Sequence, residues 1–232
     1  MELETKRGRI HNAEGARQAI LDAAETEFSE AGYNGARIEA IARASSYNSG
    51  LIFHYFGDNL GLYAEVIKRA DHKMSELQER TLAPLLDESI DVSDPVSFKA
   101  LFEEVVALNF DYLVDNPRFT RILLWEEAGE WQTFLKIFQQ FQTSGADQIE
   151  TLFRKARKAG LLRSDFPPLL QLSMVLQVCM TFLSFIPLYR VALQPPKDSL
   201  TASPTQTGRA YIIDFVVHAV LVDLPGLKEV NH

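Results

Sequence analysis

A segment of eleven residues, SYNSGLIFHYF at positions 46–56, concentrates side chains that can recognise another molecule. The imidazole of His54 and the phenol of Tyr55 can hydrogen-bond to base edges or phosphate oxygens of a nucleic acid. Leu51 precedes them with helical spacing, so the three side chains share one face if the segment is a helix. A solvated helix usually carries charge on such a face. The leucine, histidine and tyrosine therefore predict contact with a partner.

The other face of this segment has the spacing of a helix that packs on a core. Ile52 and Phe56 lie one helical turn apart, and Ser49 and Phe53 lie beside them. We expect Phe53 and Phe56 to pack inside the protein with Ile52, because apolar residues at this spacing form one buried stripe.

Three residues at the start of the segment can bring a backbone close to a partner. Asn48 is a good N-cap, and the free amides that follow it form a positive helix end that favours phosphate. Gly50 removes side-chain bulk where another surface could approach. For Tyr47 the sequence leaves two roles open, which are to cover the core or to reach a nucleic-acid backbone.

Helices must position this segment, because apolar residues recur with helical period along the chain and no alternating run predicts a strand. The sequence therefore predicts an all-α fold. Gly32 is expected to end the first helix, Asp58 to cap the fourth, and Pro187 to bend the longest apolar helix. On the last helix we expect Ile212, Phe215, Val216 and Ala219 to share one face. The predicted helices cover residues 13–31, 37–44, 49–55, 58–81, 96–114, 117–128, 131–159, 167–192 and 209–222.

Composition limits the class of protein. The chain has 232 residues, a formal net charge of −8 and one cysteine, Cys179. A single cysteine excludes an intramolecular disulfide and fits a reducing compartment. The N-terminus lacks the apolar region of a secretory signal, so we expect a cytoplasmic protein.

Residues 166–189 carry no formal charge over a length that could span a bilayer. Polar residues such as Gln171, Gln177 and Thr181 recur through the stretch. A soluble helix that is buried on most sides explains this pattern better than a membrane span, so we expect no membrane partner.

The sequence contains few residues whose types and spacing could form an enzyme active site. Glu126, Glu127 and Glu130 cluster, but helical di-metal sites require Glu-x-x-His pairs, and only Glu229 and His232 have that spacing. A solvated acidic face explains the glutamates better. The sequence contains no Gly-rich phosphate loop or serine-centred elbow. We therefore expect a protein that is not an enzyme and that uses no cofactor and no metal.

A short helix, a turn and a second short helix over residues 37–56 are the parts of a helix-turn-helix, whose second helix enters the DNA major groove. Residues 20–67, ILDAAETEFSEAGYNGARIEAIARASSYNSGLIFHYFGDNLGLYAEVI, resemble the DNA-binding domain of the TetR family of transcriptional regulators. The resemblance has no gap, and NPRFTRILLWEEA at 116–128 resembles a helix of that family's second domain. The matching residues are Ala23, Ala24, Phe28, Gly32, Tyr33, Ile38, Ile41, Ala42, Ala44, Gly50, Ile52, Phe53, Phe56, Leu62 and Tyr63.

The sequence departs from the family pattern at several positions that face DNA. Arg37 stands near the usual Thr or Ser, so a phosphate contact could pass to it, and the turn lacks the family's glycine. Tyr55 replaces a frequent histidine and Asn59 a frequent lysine. Losing a cation should weaken non-specific DNA binding. In so acidic a chain, local cations at Lys6, Arg7, Arg9 and Arg17 would have to supply the attraction to DNA.

The resemblance implies double-stranded DNA, a small-molecule effector and a second copy of the chain as partners. It implies a repressor that a small, partly apolar effector releases from a palindromic operator. The predicted DNA-binding residues are Arg37, Tyr47, Asn48, Ser49, Gly50, Leu51, His54, Tyr55 and Asn59. The predicted effector-binding residues are Phe102, Asn109, Trp125, Phe138, Gln142, Gln177 and Thr181.

The predicted organisation has three parts. Residues 1–12 form a flexible basic arm, 13–67 the DNA-binding domain and 68–232 a helical effector-binding and dimerisation domain. The helices at 167–192 and 209–222 are expected to form the homodimer interface, because their apolar surfaces otherwise lack cover. The alternative function is a helical binding or scaffold protein in which the helix-turn-helix is only structural, which the acidic balance and Asn59 favour.

Overall fold

The computed structural model describes residues 2–82, 93–140, 146–163, 166–192 and 204–222, without the side chains of 2–12, 78–82, 146–149, 190 and 204. The described part of the chain contains ten α-helices, a short 3-10 helix and no strand. One isolated antiparallel bridge joins Leu162 and Leu221. The all-α prediction is confirmed.

The helices are bounded as follows: α1 Glu2–Gly35, α2 Ile38–Ser45, α3 Ser49–Phe56, α4 Asn59–Leu82, α5 Pro95–Asp115, α6 Pro117–Ala128, α7 Gln132–Ile137, α8 Ala146–Lys158, α9 Pro168–Ala192 and α10 Pro204–Val220. The bounds of α6 agree with the sequence prediction, and its first residue, Pro117, suits a first turn because its missing N–H has no helical partner there. Asp58 caps α4 as predicted, since its Oδ1 accepts the Gly61 N–H at 2.7 Å.

Two boundaries of α1 differ from their prediction. The helix begins at Glu2, so it includes nearly all of residues 1–12, the predicted basic arm. That this arm is flexible stays a prediction. The non-helical backbone at Gly32, with φ 66° and ψ 177°, falls where the sequence places the stop, and a short continuation reaches Gly35.

The single helix predicted for residues 131–159 is wrong. The chain forms α7, then a 3-10 turn at Phe138–Gln140 that interrupts the predicted helix, and later α8 at Ala146–Lys158. The sequence contains Ser144 and Gly145 just before α8. Both residue types disfavour a helix interior, and the apolar period on either side concealed that signal in the sequence.

The chain divides into two compact units. Unit 1 comprises Met1–Ser75 and Asn116–Gln142, and unit 2 comprises Glu76–Asp115 and Thr143–His232. Segment 116–142 thus joins the unit that holds α2 and α3. The core of unit 1 includes Ile20, Phe28, Ile41, Ile52, Phe56, Leu62, Tyr63, Val66, Ile67, Ile122 and Ile137.

Ion pairs fasten α1 to α4 at the edge of this core. Arg69 pairs with Asp22 at 2.6 Å and with Glu25, and its guanidinium also donates to the Leu21 carbonyl. Arg17 pairs with Glu65 and lies over the Phe56 ring, 5.5 Å from its centroid. These contacts fix α4 on α1 immediately after α3.

Unit 2 has an aromatic core. Phe98 and Phe102 stack with ring centroids 6.4 Å apart, and Phe153 of α8 meets each edge-on at 6.2 Å. Arg209 of α10 forms a bidentate pair with Asp111 of α5, with two bonds of 2.7 Å. These contacts pack α5, α8 and α10 into one body.

The expectation that α9 is buried on most sides is wrong for the single chain. The segment Pro168–Tyr189 is long and apolar enough to cross a membrane by length and composition, and only 22% of it is buried. One side of α9 packs within unit 2 through Val175, Cys179 and Met180, and the opposite side exposes large apolar residues. Helix α10 shows the same pattern, because Ile212 and Val216 are buried while Phe215 and Ala219, predicted to lie on the same face, are exposed.

We expect the single thiol to be unreactive in the folded protein. Cys179 is fully buried, and burial raises its pKa to about 12, so the nucleophilic thiolate is scarce at neutral pH. Native protein treated with iodoacetamide at mildly alkaline pH should remain unmodified by intact mass, and urea-unfolded protein should gain one adduct per chain. Rapid labelling of the native protein would show that α9 packs differently.

Candidate nucleic-acid interface

The turn between α2 and α3 forms without the glycine that usually allows it. Ser46 adopts the left-handed conformation, with φ 64° and ψ 24°, as the C-cap of α2. Its N–H donates to the Arg43 carbonyl at 3.3 Å, and the Tyr47 N–H donates to the Ala42 carbonyl at 3.1 Å. These two bonds close the end of α2 and direct the chain into α3.

Asn48 caps α3 as predicted. Its Oδ1 accepts the Leu51 N–H at 2.9 Å, while its backbone is extended. The cap fixes where α3 begins, and Asn48 and Gly50 are exposed while Ser49 is half-buried. The helix thus presents its N-terminal backbone amides at the surface, where they can bind a phosphate.

The buried stripe of α3 is narrower than predicted. Ile52 and Phe56 are buried in the core of unit 1, but Phe53 is 43% exposed, so its assignment to the core is wrong. Phe53 lies one residue, or about 100° of helix rotation, from Ile52, which places its ring at the border of the buried stripe. An exposed aromatic ring on this helix is available to a partner.

The outward face of α3 is centred on His54. His54 is exposed, as predicted, whereas Leu51 and Tyr55 are half-buried on the flank. The Tyr55 ring packs against the core of unit 1, 6.1 Å from Phe56 and 5.7 Å from the imidazole. The prediction that all three point directly outward therefore holds for His54 and needs correction for Tyr55 and Leu51.

Two further candidates lie partly inside the unit. Tyr47, left open by the sequence, is half-buried and packs against the core. Asn59 is half-buried with a buried Oδ1, and its side chain bonds to the Tyr33 hydroxyl. Burial and the nearby Asp58 charge raise the pKa of Tyr33, while that bond lowers it. Asn59 thus has a structural partner at the position where a lysine would reach outward.

Two arginines supply exposed positive charge beside α3. Arg37 is exposed at the N-cap of α2, and its backbone N–H donates to Glu27 Oε1 at 3.1 Å. Arg43 is exposed in the last turn of α2. The sequence analysis missed Arg43. Ile41 was predicted on the apolar side of the same helix, and a residue two positions later points to the opposite, solvent side. Arg17 is engaged by Glu65, and the side chains of Lys6, Arg7 and Arg9 lie outside the description.

The predicted effector residues do not form one group in the structure. Phe102 lies in the aromatic core of unit 2, Asn109 donates to the Val105 carbonyl at 2.8 Å, and Thr181 is exposed on α9. Gln177 is half-buried on the same helix. Trp125 and Phe138 are both exposed and belong to unit 1, and Gln142 lies outside the described residues.

Two short helices, a tight turn, an exposed reading face and flanking cations define a helix-turn-helix DNA-binding protein. The family profile described as "Bacterial regulatory proteins, tetR family" matches residues 20–66. A second, "Tetracyclin repressor-like, C-terminal domain", matches residues 99–216, about half of the chain. The chain belongs to the TetR family of bacterial regulators, and it is a DNA-binding transcriptional regulator.

Curated relatives and solved structures agree with this family. The transcriptional repressor NicS of Pseudomonas putida is 27% identical over 159 residues, 68% of this chain and 70% of NicS. The repressor SCO4008 of Streptomyces coelicolor is 30% identical over 114 residues, 49% of this chain and 50% of its own. The structure of HlyIIR, a hemolysin II transcriptional regulator, superposes with a TM-score of 0.59 and 18% identity, covering 91% of this chain and 99% of HlyIIR. That last likeness bears on the fold alone.

Proposed function

We propose that the protein represses transcription by binding as a homodimer to a palindromic operator, and that a small, partly apolar effector releases it. The observation that carries the proposal is the helix-turn-helix, in which an Asn48-capped α3 exposes His54 and Phe53 beside Arg37 and Arg43. Repression is the mode named for NicS and SCO4008. Binding to chromosomal DNA would place the protein in the cytoplasm.

The proposed contacts follow from where each side chain lies. Helix α3 enters the major groove, where the His54 imidazole and the Phe53 ring reach base edges or thymine methyl groups. The N-terminal amides of α3, with Ser49 and Gly50, and the guanidiniums of Arg37 and Arg43 bind phosphates. The flank residues Leu51, Tyr55 and Tyr47 and the cap residue Asn48 contact the edges of the same site. Asn59 contributes less, because its side chain is engaged by Tyr33.

An apolar stripe on α9 supports the homodimer. Four exposed apolar side chains and the exposed Thr181 recur at helical spacing along one side of this helix; the apolar residues are Leu170, Met174, Phe185 and Leu188. They cover about 27 Å of helix length at 1.5 Å per residue. On α10, the exposed rings of Tyr211 and Phe215 stack 6.2 Å apart. Exposed apolar residues that adjoin one another on a surface mark a candidate site of protein–protein interaction.

The effector is proposed to bind in unit 2 between its helices. Asn109 and Gln177 are half-buried polar residues in this unit and could orient a ligand whose body is apolar. Phe102 would act as a wall of such a site, and Thr181 fits the dimer interface better because it lies on the exposed stripe of α9. Trp125 and Phe138 belong to unit 1, so this proposal gives them no place in the effector site.

DNA binding is tested directly with the region upstream of the protein's own gene. Purified protein should retard a fragment of this region at physiological salt, and footprinting should reveal two inverted half-sites. Increasing salt should weaken the complex, because phosphate contacts release counterions. Absence of a specific complex, both for this region and for fragments selected from the whole genome, would refute the proposal.

Alanine at the outward face of α3 should weaken operator binding without loosening the fold. His54→Ala and Phe53→Ala each remove a proposed base contact worth about 1–3 kcal/mol per half-site. We expect at least a tenfold weaker complex in fluorescence anisotropy, with wild-type melting temperature and dimerisation. Leu135→Ala is the control, because Leu135 is an exposed apolar residue of unit 1 outside the motif. Equal affinities for His54→Ala and wild type would refute the assignment of His54.

A further inference from the structure

Unit 1 contains a buried carboxylate that the DNA-binding surface does not explain. Glu126, near the end of α6, is 5% exposed. Its Oε1 accepts the Tyr63 hydroxyl of α4 at 2.5 Å, and its Oε2 accepts the Phe134 N–H of α7 at 3.0 Å. Its backbone carbonyl accepts the Trp131 N–H at 2.7 Å. One residue thus joins three helices of the unit that carries α2 and α3.

This carboxylate is placed where it costs stability. Burying a charge removes its hydration, and no basic side chain among the described residues pairs with Glu126. Its position in the last turn of α6 also faces the negative end of the helix dipole. An apolar side chain of similar size would avoid these two penalties, but it would leave the Tyr63 hydroxyl and the Phe134 N–H without their acceptor. The carboxylate instead makes the packing specific, because its hydrogen bonds to Tyr63 and Phe134 can form in only one relative arrangement of α4, α6 and α7.

The hydrogen bond to Tyr63 acts on the element that follows the recognition helix. Tyr63 lies in the second turn of α4, and only Gly57 and Asp58 separate α4 from α3. Its ring packs edge-on against Phe28 at 4.9 Å and Tyr33 at 5.2 Å, both from α1. Burial, followed by the bond to Glu126, raises the pKa of the Tyr63 hydroxyl, so it remains a donor at any physiological pH.

The residue before Glu126 fastens α6 to α1. The Trp125 indole N–H donates to the Ser29 carbonyl at 3.2 Å, and its ring covers the break at Gly32. The last turn of α6 is therefore bonded to both supporting helices, through Trp125 to α1 and through Glu126 to α4. A shift of the last turn of α6 would disturb both helices that support α3.

We propose that Glu126 is a positioning residue for DNA binding, whose hydrogen bond with Tyr63 holds α4, and with it the recognition helix α3, in the arrangement that fits the operator. The inference rests on the proposed function. Residues 116–137 would then influence the affinity for the operator, although they belong to other helices than α3 and make none of the proposed DNA contacts.

The test compares Tyr63→Phe with a control that loosens the same core elsewhere. Tyr63→Phe removes one hydroxyl and leaves Oε1 of a buried carboxylate without its donor, so the end of α6 must shift toward water. We expect operator affinity to fall at least tenfold in fluorescence anisotropy. Ile122→Val, at a buried position of α6, should lower the melting temperature comparably but keep wild-type operator affinity.

A double-mutant cycle identifies the bond itself. Glu126→Gln keeps the shape of the side chain but cannot accept from both the Tyr63 hydroxyl and the Phe134 N–H through two oxygens. We expect it to weaken operator binding in the same direction, and the double variant to lose less than the two single losses combined, because both act on one bond. This variant also carries the test if Tyr63→Phe does not fold.

The outcomes separate the two proposals. Wild-type protein that binds no operator refutes the proposed function. Wild-type protein that binds its operator, together with Tyr63→Phe and Glu126→Gln variants of undiminished affinity, refutes the positioning role alone. A loss of affinity that Ile122→Val matches at equal melting temperature also refutes it, because the effect would then come from general loosening of the core.

Discussion

Phe185→Glu should dissociate the homodimer and abolish operator binding while each chain stays folded. Phe185 is 53% exposed on α9, near the C-terminal end of the apolar stripe that we propose as the subunit interface. Two-fold symmetry brings the substitution into the interface twice. Burying a phenylalanine contributes about 1.5–3 kcal/mol, so both copies together contribute roughly 3–6 kcal/mol. The dimer should therefore dissociate roughly a thousandfold more readily.

The charge adds to the loss of apolar contact. A glutamate at this position would be buried without a partner in the dimer but hydrated in the free chain, so it favours the monomer. A monomer presents one recognition helix, and its affinity should fall to that of non-specific binding, commonly a factor of at least ~1,000. Light scattering at micromolar concentration and anisotropy with operator DNA measure the two effects.

Val96→Glu is the matched control. Val96 is 58% exposed on α5 in the same unit, away from α9 and α10 in sequence, and the substitution adds the same charge. We expect this variant to remain a dimer with wild-type operator affinity. If Phe185→Glu is still a dimer at micromolar concentration, α9 is not the interface.

The sequence predicted those parts of the fold that local chemistry determines. Asn48 and Asp58 cap their helices as expected, because an N-cap needs only a short polar side chain beside the first turn. The start of α6 followed from Pro117 and the break in α1 from Gly32, each a residue with restricted or special backbone freedom. The helix-turn-helix was visible for the same reason, since its parts are consecutive in the chain.

Features that depend on distant contacts could not be predicted. Periodicity placed Phe53 in the core and Tyr55 on the outward face of α3, but Phe53 is exposed and Tyr55 half-buried, because their burial depends on the neighbouring helices. Glu126 looked like a surface acid, because its partner Tyr63 is distant in sequence. The exposed side of α9 was apolar enough to look buried, since periodicity does not distinguish a core from a subunit interface.

Replacing glycine by alanine at two positions of α1 should change stability in opposite directions. Gly32 has φ 66° and ψ 177°, a region essentially restricted to glycine, where another residue costs about 1–3 kcal/mol. A Cβ there would also lie 3.1 Å from the Trp125 ring. We expect Gly32→Ala to destabilise unit 1 by about 2–4 kcal/mol, combining backbone strain with crowding.

Gly15→Ala supplies the control of opposite sign in the same helix. Gly15 is exposed, and a Cβ there meets no atom within 4 Å, so alanine only restricts the unfolded chain and should stabilise by about 0.5–1 kcal/mol. The sequence's two tryptophans, Trp125 and Trp131, lie in unit 1, so their emission during urea unfolding reports this unit. If Gly32→Ala were as stable as wild type, α1 would not break at Gly32, and Trp125 could not pack over the backbone there. Trp125 would then hold α6 on α1 only through its hydrogen bond to the Ser29 carbonyl.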